Sequence, residues 1–383
     1  MEFKKYLLSE ISDYKTGRLN SNAAIENGKY KFFTCAPNPL TINSYSYDDD
    51  VILLAGNNAN GIFHINRFNG KFDAYQRTYI IKPKFDVIDI DYLYYYLKFK
   101  LNFLRSQSIG SATKYLTKPI LDNLEIYSPK SKRKETIISS ILKILDKKIE
   151  LNKRIIANLE ELSQTLFKRW FVDFEFPDEN GNPYKSSGGE MIDSELGEIP
   201  SGWKVDELGN YIKIKSGKRP KNKVDKKDIE NVVPIIGASK IMGYTNDYLY
   251  NEKIIIIGRV GTHGVIQRFS TRTWPSDNTF VIISDFESII YQVLKSIDYI
   301  SLNRGSTQPL FNDIKNTKVA MPTNETLLST YQKENNHILK MMDQKNIENQ
   351  KLTQLRDTLL PKLMSGEIEI PDDIEVNEDE LSI

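Results

Sequence analysis

Leu145-Asp146-Lys147-Lys148-Ile149-Glu150-Leu151-Asn152-Lys153-Arg154-Ile155-Ile156-Ala157-Asn158-Leu159 lies in a stretch, Ser131 to Phe171, that holds neither proline nor glycine. Leu145, Ile149, Asn152, Ile156, Leu159, Ser163 and Leu166 recur at alternating spacings of four and three. That is a coiled-coil seam with two polar interruptions. Roughly 40 residues rising 1.5 Å each make a rod of about 60 Å, too long for an ordinary core helix. A second such pattern starts near Asn324 and ends at Gly366, a natural glycine stop for a helix. Its stripe holds Leu328, Ile338, Met342, Leu352, Leu355, Leu359 and Leu363. The residues expected to pair the two rods are Leu145, Ile149, Asn152, Ile156, Leu159 and Leu166 with Ile338, Met342, Asn349, Leu352, Leu355 and Leu359. Asn152 and Asn349 hold similar places and admit two readings. Either they form a buried polar pair that fixes register at a cost in stability, or both face water.

The segments preceding the rods repeat each other. Lys15-Thr16-Gly17-Arg18 is answered by Lys215-Ser216-Gly217-Lys218, and Ile52-Leu53-Leu54-Ala55-Gly56 by Ile254-Ile255-Ile256-Ile257-Gly258. Thr78-Tyr79-Ile80-Ile81 returns as Thr279-Phe280-Val281-Ile282, and Gly110-Ser111-Ala112-Thr113 as Gly305-Ser306-Thr307-Gln308. A period near 200 residues means two copies of a domain plus a helix, since solenoid periods are far shorter. In the first copy, Val51 to Leu54 and Tyr79 to Ile81 read as strands, and Asp91 to Ser106 as a helix. The tyrosines on that helix either pack the core or offer a stacking surface. The expected fold class is α+β: two similar mixed α/β domains related by a pseudo-two-fold axis and separated by two long antiparallel helices. The divisions are a first domain 1–129, a long helix 130–171, an acidic Gly/Pro-containing linker 172–200, a second domain 201–322, a long helix 323–366 and an acidic tail 367–383.

The net charge of +1 hides a segregation. The tail has eight acids and no bases, and Val172 to Pro200 has eight acids and one base, Lys185. The remainder carries roughly +16, a distribution that suits a polyanion-binding body as well as a merely solubilising tail. One cysteine, Cys35, excludes an internal disulfide and fits a reducing cytoplasm. No apolar run approaches the ~18 residues of a membrane helix, and Met1 to Tyr6 lacks a signal-peptide core.

Catalytic motifs are missing. Ser216-Gly217-Lys218 has Ile212 where a phosphate-binding loop needs its first glycine. His64, His263 and His337 are scattered, which leaves no zinc set. Asn182-Pro183-Tyr184 lacks the second proline of the adenine-methyltransferase motif, and Asp178, Glu179 and Lys185 lie in the linker rather than on a rigid metal-binding frame. No catalytic and no metal-ligating residue is therefore expected.

Trp170-Phe171-Val172-Asp173-Phe174-Glu175-Phe176-Pro177, after Leu166-Phe167-Lys168-Arg169, resembles the end of the central helix of type I restriction-modification specificity (S) subunits. Leu196-Gly197-Glu198-Ile199-Pro200-Ser201-Gly202-Trp203 is similar to that family's entry into its second target recognition domain. Leu359-Leu360-Pro361-Lys362-Leu363-Met364-Ser365-Gly366-Glu367-Ile368 is similar to its closing helix. The resemblance implies a non-catalytic subunit that reads a bipartite site in double-stranded DNA, one half per domain. It implies two methyltransferase (M) partners, and two restriction (R) partners where restriction is retained. S-adenosylmethionine, ATP and Mg are then expected on those partners and no cofactor on this chain. The alternative is a two-domain DNA-binding or scaffold protein without a methyltransferase partner.

Phosphate contacts position a protein on DNA and base-edge contacts specify. Asn and Gln suit adenine, and Arg and Lys suit guanine. In the first copy the candidates are Lys15, Arg18, Asn57, Asn58, Asn60, Gln76, Arg77, Thr113 and Lys114. In the second they are Lys215, Lys218, Arg219, Arg259, His263, Gln267, Arg268, Asn278, Arg304 and Gln308. The Asn-rich Gly56 to Gly61 loop reads equally as a turn tolerant of positive φ. Two half-sites about one helical turn apart, roughly 34–36 Å, would let both domains address one face of the duplex.

Overall fold

The computed structural model describes residues 1–59, 61–84, 86–111, 113–259, 265–299 and 311–371. The chain divides into two units, 1–152 with 347–383, and 153–346. Each holds one globular domain and about half of each long helix.

In the first unit, Phe3–Leu7 pairs antiparallel with Glu125–Pro129, so the domain's two ends meet. A six-stranded sheet follows in the order Ser12–Thr16, Thr78–Pro83, Tyr47–Ala55, Ile65–Ala74, Tyr30–Phe33, Leu40–Ile42. One pair, Tyr30–Phe33 with Ile65–Ala74, is parallel. Val51 to Ala55 is an unbroken buried run because the sheet is covered on both faces. Ile52 and Leu54 pack with Ile81, Tyr92, Tyr96 and Leu97 of the helix side. Val51 and Leu53 pack with Phe33, Phe72 and Ile80 on the other. Each such side chain contributes about 1.5–3 kcal/mol.

The covering helix, Ile90–Gln107, starts where Asp89 accepts a hydrogen bond from the Tyr92 N–H (2.8 Å). Its tyrosines are core residues. The Tyr92 hydroxyl donates to the Tyr127 carbonyl (2.8 Å) and the Tyr95 hydroxyl to Asp146 (3.1 Å). Burial pushes the Tyr94 and Tyr96 phenols up to about 12.

The second unit repeats this topology in broken form. Trp203–Glu207 pairs with Lys318–Pro322. A four-stranded sheet runs Lys213–Ser216, Thr279–Ile283, Ile254–Gly258, Ile266–Phe269, and a three-stranded one runs Ile241–Thr245, Val233–Ile236, Trp274–Pro275. The long strand Ile65–Ala74 of the first domain is thus split into Ile266–Phe269 and Trp274–Pro275, and the parallel pairing survives as Val233–Ile236 with Trp274–Pro275. Gly70 sits at φ 128° inside the unbroken version. The register also corrects the sequence echo by one residue. Ile52 faces Ile81, and Ile255 faces Ile282, so Gly56 corresponds to Arg259 rather than to Gly258. A one-residue slip would exchange the two faces of the strand. The burial agrees, since Ile255 and Ile257 go to the helix side while Ile254 and Ile256 pack with Ile236 and Val281.

The long helices are Lys132–Phe167, continued by a π-turn Lys168–Val172, and Glu325–Ser365, ended by Gly366 at φ 78°. They run antiparallel within each unit. In the first, Asn152 is fully buried and its side-chain amide donates to the Asn349 side-chain carbonyl (3.0 Å), while Asp146 meets Arg356 (2.7 Å). In the second, the Ser163 hydroxyl donates to Asn335 (2.6 Å) and Phe167 and Phe171 pack on Tyr331. Ile149 is buried in the first unit and Ile338 and Met342 in the second, and Leu145, Ile156, Leu159, Leu166, Leu352 and Leu359 are half-buried. Leu355 is a correction. It is 48% exposed, and Arg356 takes the inward position. Counting in sevens from Asn349 reaches Asn335, Met342 and Arg356, a signal that apolar counting passes over.

The segment 172–200 is also more than a linker. Phe176 stacks on Tyr184 and Trp203 (centroids 4.6 and 5.5 Å), and Met191–Ser194 forms a hairpin with Gly197–Pro200. Its glycines make turns, and its aromatic residues supply the burial that charge counting ignores. Of the acidic tail, Ile370 is buried in the first domain's core and residues 372–383 lie outside the described residues.

Candidate nucleic-acid interface

A four-residue turn organises one end of each sheet. In the first domain it is Tyr75 to Thr78. The Tyr75 N–H donates to Phe33 (2.9 Å) and the Thr78 N–H back to Tyr75 (2.8 Å). The Gly17 N–H donates to Thr78 (3.0 Å) and the Arg18 N–H to Ala74 (3.2 Å). In the second domain the turn is Ser276 to Thr279 and every bond recurs: Ser276 to Ile236 (2.9 Å), Thr279 to Ser276 (3.1 Å), Gly217 to Thr279 (3.0 Å), Lys218 to Pro275 (3.0 Å). The repeated glycine is explained by close approach. A Cβ at Gly17 would lie 2.1 Å from the Ala74 carbonyl oxygen, and one at Gly217 2.1 Å from that of Ser276.

Around the first turn the structure gathers several candidates. Gln76 and Arg77 occupy its tip and are exposed. The Gln76 amide donates to Asn20 (3.0 Å), and the Arg77 guanidinium lies over the Tyr115 ring (5.3 Å). Asn57 and Asn58 pair as a short strand with Tyr115 and Lys114, beside Thr113, and the Gly56 N–H donates to the Arg77 carbonyl (2.8 Å). The Asn57 side-chain oxygen accepts from the Cys35 thiol (2.9 Å). Lys15 lies over Tyr47 (4.8 Å), and Arg18 is exposed next to Gly17. Lys15, Arg18, Arg77 and Lys114 make no ion pair with a carboxylate among the described residues.

Around the second turn, Asn278 is exposed and the Arg259 N–H donates to its carbonyl (2.9 Å). The Arg259 guanidinium also reaches the Asp277 carbonyl (3.3 Å) and covers Phe280 (4.9 Å). Lys215, Lys218 and Arg219 are exposed, with Arg219 3.4 Å from Asp277. Asn60, His263, Arg304 and Gln308 lie outside the described residues.

Two candidates are committed elsewhere. The Gln267 amide donates to the Gly237 and Ala238 carbonyls (3.1 and 3.4 Å). Arg268 is 8% exposed and pairs with Glu287, at the start of the domain's helix, and with Asp343 of the long helix (3.5 Å). It is an anchor, and withdrawing such a charge from buried Glu287 and half-buried Asp343 to reach DNA would be costly. The equivalent Arg67, absent from the sequence-based set, pairs with Asp50 and Asp91, and Asp91 in turn holds Lys143 of the other long helix. Nothing in the spacing distinguishes such an arginine from one facing DNA.

Among the described residues no group of His, Cys, Asp and Glu is placed to hold a metal ion, and no helix is long and apolar enough to cross a membrane.

Comparison with known proteins agrees with this geometry. A family model described as type I restriction modification DNA specificity domain matches residues 1–161 and again 200–357. The chain is 34% identical over 218 residues to the type I restriction enzyme EcoDI specificity subunit of Escherichia coli, covering 53% of this chain and 47% of that one. It is 29% identical over 327 residues to the MjaIX specificity subunit of Methanocaldococcus jannaschii, covering 76% and 71%. The match thus spans about half the length of the first relative. Among solved structures, the S subunit of a type I restriction-modification system from M. genitalium shares the fold, with a TM-score of 0.64 at 18% identity over 97% of each chain. The chain belongs to the type I restriction-modification specificity family, whose members are non-catalytic DNA-recognition components.

Proposed function

We propose that this chain is the sequence-reading subunit of a cytoplasmic type I restriction-modification complex. Domain 1–129 takes one half of a bipartite site in double-stranded DNA and domain 201–322 the other. The helices 130–171 and 323–366 set the spacer between the halves and receive the partners: two M subunits, which bring S-adenosylmethionine, and two R subunits, which bring ATP and Mg. The packed segment 172–200 leads into the second domain, and the tail 367–383 closes the chain. One observation carries the reading: a single backbone frame occurs twice, and each copy presents cations without a carboxylate partner among the described residues, Lys15 and Arg18 in one and Lys215 and Lys218 in the other, around a turn whose exposed side chains differ. Backbone-directed cations supply affinity in a sequence-independent way, and differing tips supply two different readings.

The test is co-expression with its cognate methyltransferase, followed by mapping of N6-methyladenine. A bipartite motif is expected. Removing two helical turns from each rod, in matched positions, is expected to shorten the spacer and leave both half-sites intact. Absence of methylation by the unaltered pair would sink the reading, and an unchanged spacer would remove the ruler.

A further inference from the structure

We propose that the paired turn tips, Gln76-Arg77 and Asp277-Asn278, are the positions that determine which bases each domain reads, with Arg77 reading a guanine and Asn278 an adenine. This rests on the function proposed above and names the groups that carry it out.

Two copies of a domain that read different sequences must keep a common frame and vary the groups it presents. The turn meets both conditions. Four main-chain hydrogen bonds recur one for one, with the same glycine close approach and the same closing threonine, Thr78 or Thr279. Between these fixed points the presented pair changes from Gln-Arg to Asp-Asn. Reading a base edge demands placement within about 0.5 Å, which a turn locked to three strands provides and a long loop does not.

Three other candidates with base-reading chemistry are occupied. Asn57 is held by Cys35, Gln267 by two carbonyls, and Arg268 by Glu287 and Asp343. By contrast, Arg77 has no carboxylate partner, and the Asn278 side chain makes no hydrogen bond, among the described residues. The Tyr115 ring restrains Arg77 without consuming its donors, since a guanidinium lying on a ring keeps its N–H edge free. An arginine fork matches the O6 and N7 acceptors of guanine, and an asparagine amide matches N6 and N7 of adenine. Their neighbours on the tips are engaged, Gln76 with Asn20 and Asp277 with Arg219.

The experiment uses the full chain with its methyltransferase and maps N6-methyladenine for the unaltered protein, Arg77→Gln and Asn278→Ser. Arg77→Gln is expected to lose preference for a guanine at one position of one half-site, by about ten- to a hundredfold, with the other half-site untouched. Asn278→Ser is expected to relax an adenine position in the opposite half-site only. Because the Asn278 side chain makes no hydrogen bond among the described residues, that variant folds even if Arg77→Gln does not, and it decides the matter alone. Two half-sites that stay intact, or binding by the purified complex that weakens equally on all sequences, would overturn the proposal and leave the turns as phosphate contacts. A wild-type pair that methylates no bipartite motif is a different failure, of the function itself.

Discussion

Arg67 and Arg268 occupy the same place in the two domains and solve the same problem with different charges. Each ties a sheet strand to the start of the domain's helix and onward to a long helix. In the first domain the path runs from Arg67 to Asp91 to Lys143, and the Arg67 side chain is 21% exposed. In the second, Arg268 alone spans Glu287 and Asp343 and is 8% exposed. The alternating chain spreads its charges and keeps some water. The single buried arginine concentrates the burden on one group. A shared frame therefore constrains where a polar anchor sits but leaves open how its charge is balanced.

The largest expected effect breaks that comparison directly. Arg268→Met should destabilise the second unit by about 3–5 kcal/mol, because buried Glu287 and half-buried Asp343 lose their cation. Arg67→Met should cost roughly half as much, since Asp91 keeps Lys143. Chemical unfolding monitored separately in the two units checks the order, and equal losses would erase the distinction.

Gly17→Ala and Gly217→Ala come next, at about 2–3 kcal/mol each, as a Cβ would be forced into a backbone carbonyl. Here the two domains should behave alike. A clear inequality in unfolding midpoints would show that the turns are not equivalent.

A smaller, pH-dependent effect sharpens the contrast along the helices. Burial pushes the Asp146 carboxyl up, but Lys98 and Arg356 overcome it and leave it lowered. Such a group adds stability above the ordinary carboxylate range and loses it as pH falls through its lowered value. Burial raises the Asp343 carboxyl by more than Arg268 lowers it. Ionising it therefore costs stability, and the cost disappears as pH falls through the raised value. Asp146→Asn should destabilise by about 1–2 kcal/mol at neutral pH, by taking the carboxylate from Lys98 and leaving Arg356 only Asp357. Asp343→Asn should be neutral or stabilising there, with the gain fading in acid. Unfolding midpoints between about pH 4 and 8 test both signs.

The smallest effect concerns the paired lysines. Lys15→Ala and Lys215→Ala should each lower the slope of log affinity against log salt by about 0.9, with half-sites unchanged. A change in half-site sequence instead would move these residues from phosphate to base contacts.

Much of this was legible in the chain. The repeat announced two like domains, and the 4-3 spacing announced the rods, because both rest on local periodicity. The Lys-Thr-Gly-Arg and Lys-Ser-Gly-Lys echo pointed to the turn frame before the close approach of Gly17 and Gly217 explained it. Other features were not legible. The echo misaligned Gly56 with Gly258 by one residue, since two glycine-ended apolar runs look alike until register is known. Leu355 looked like a seam residue because apolar counting cannot see that Arg356 is inward when Asp146 waits opposite.

What the sequence determined alone is the set of things that periodicity encodes: twin sheets, long amphipathic rods, and a family kinship carried by short motifs. Only tertiary structure decided which cations are spent inside the protein and which are left for a ligand. Arg77 and Arg268 are the same residue type, one just before a strand and one within a strand. Their difference lies in carboxylates far along the chain that reach one and not the other, and no local pattern records that.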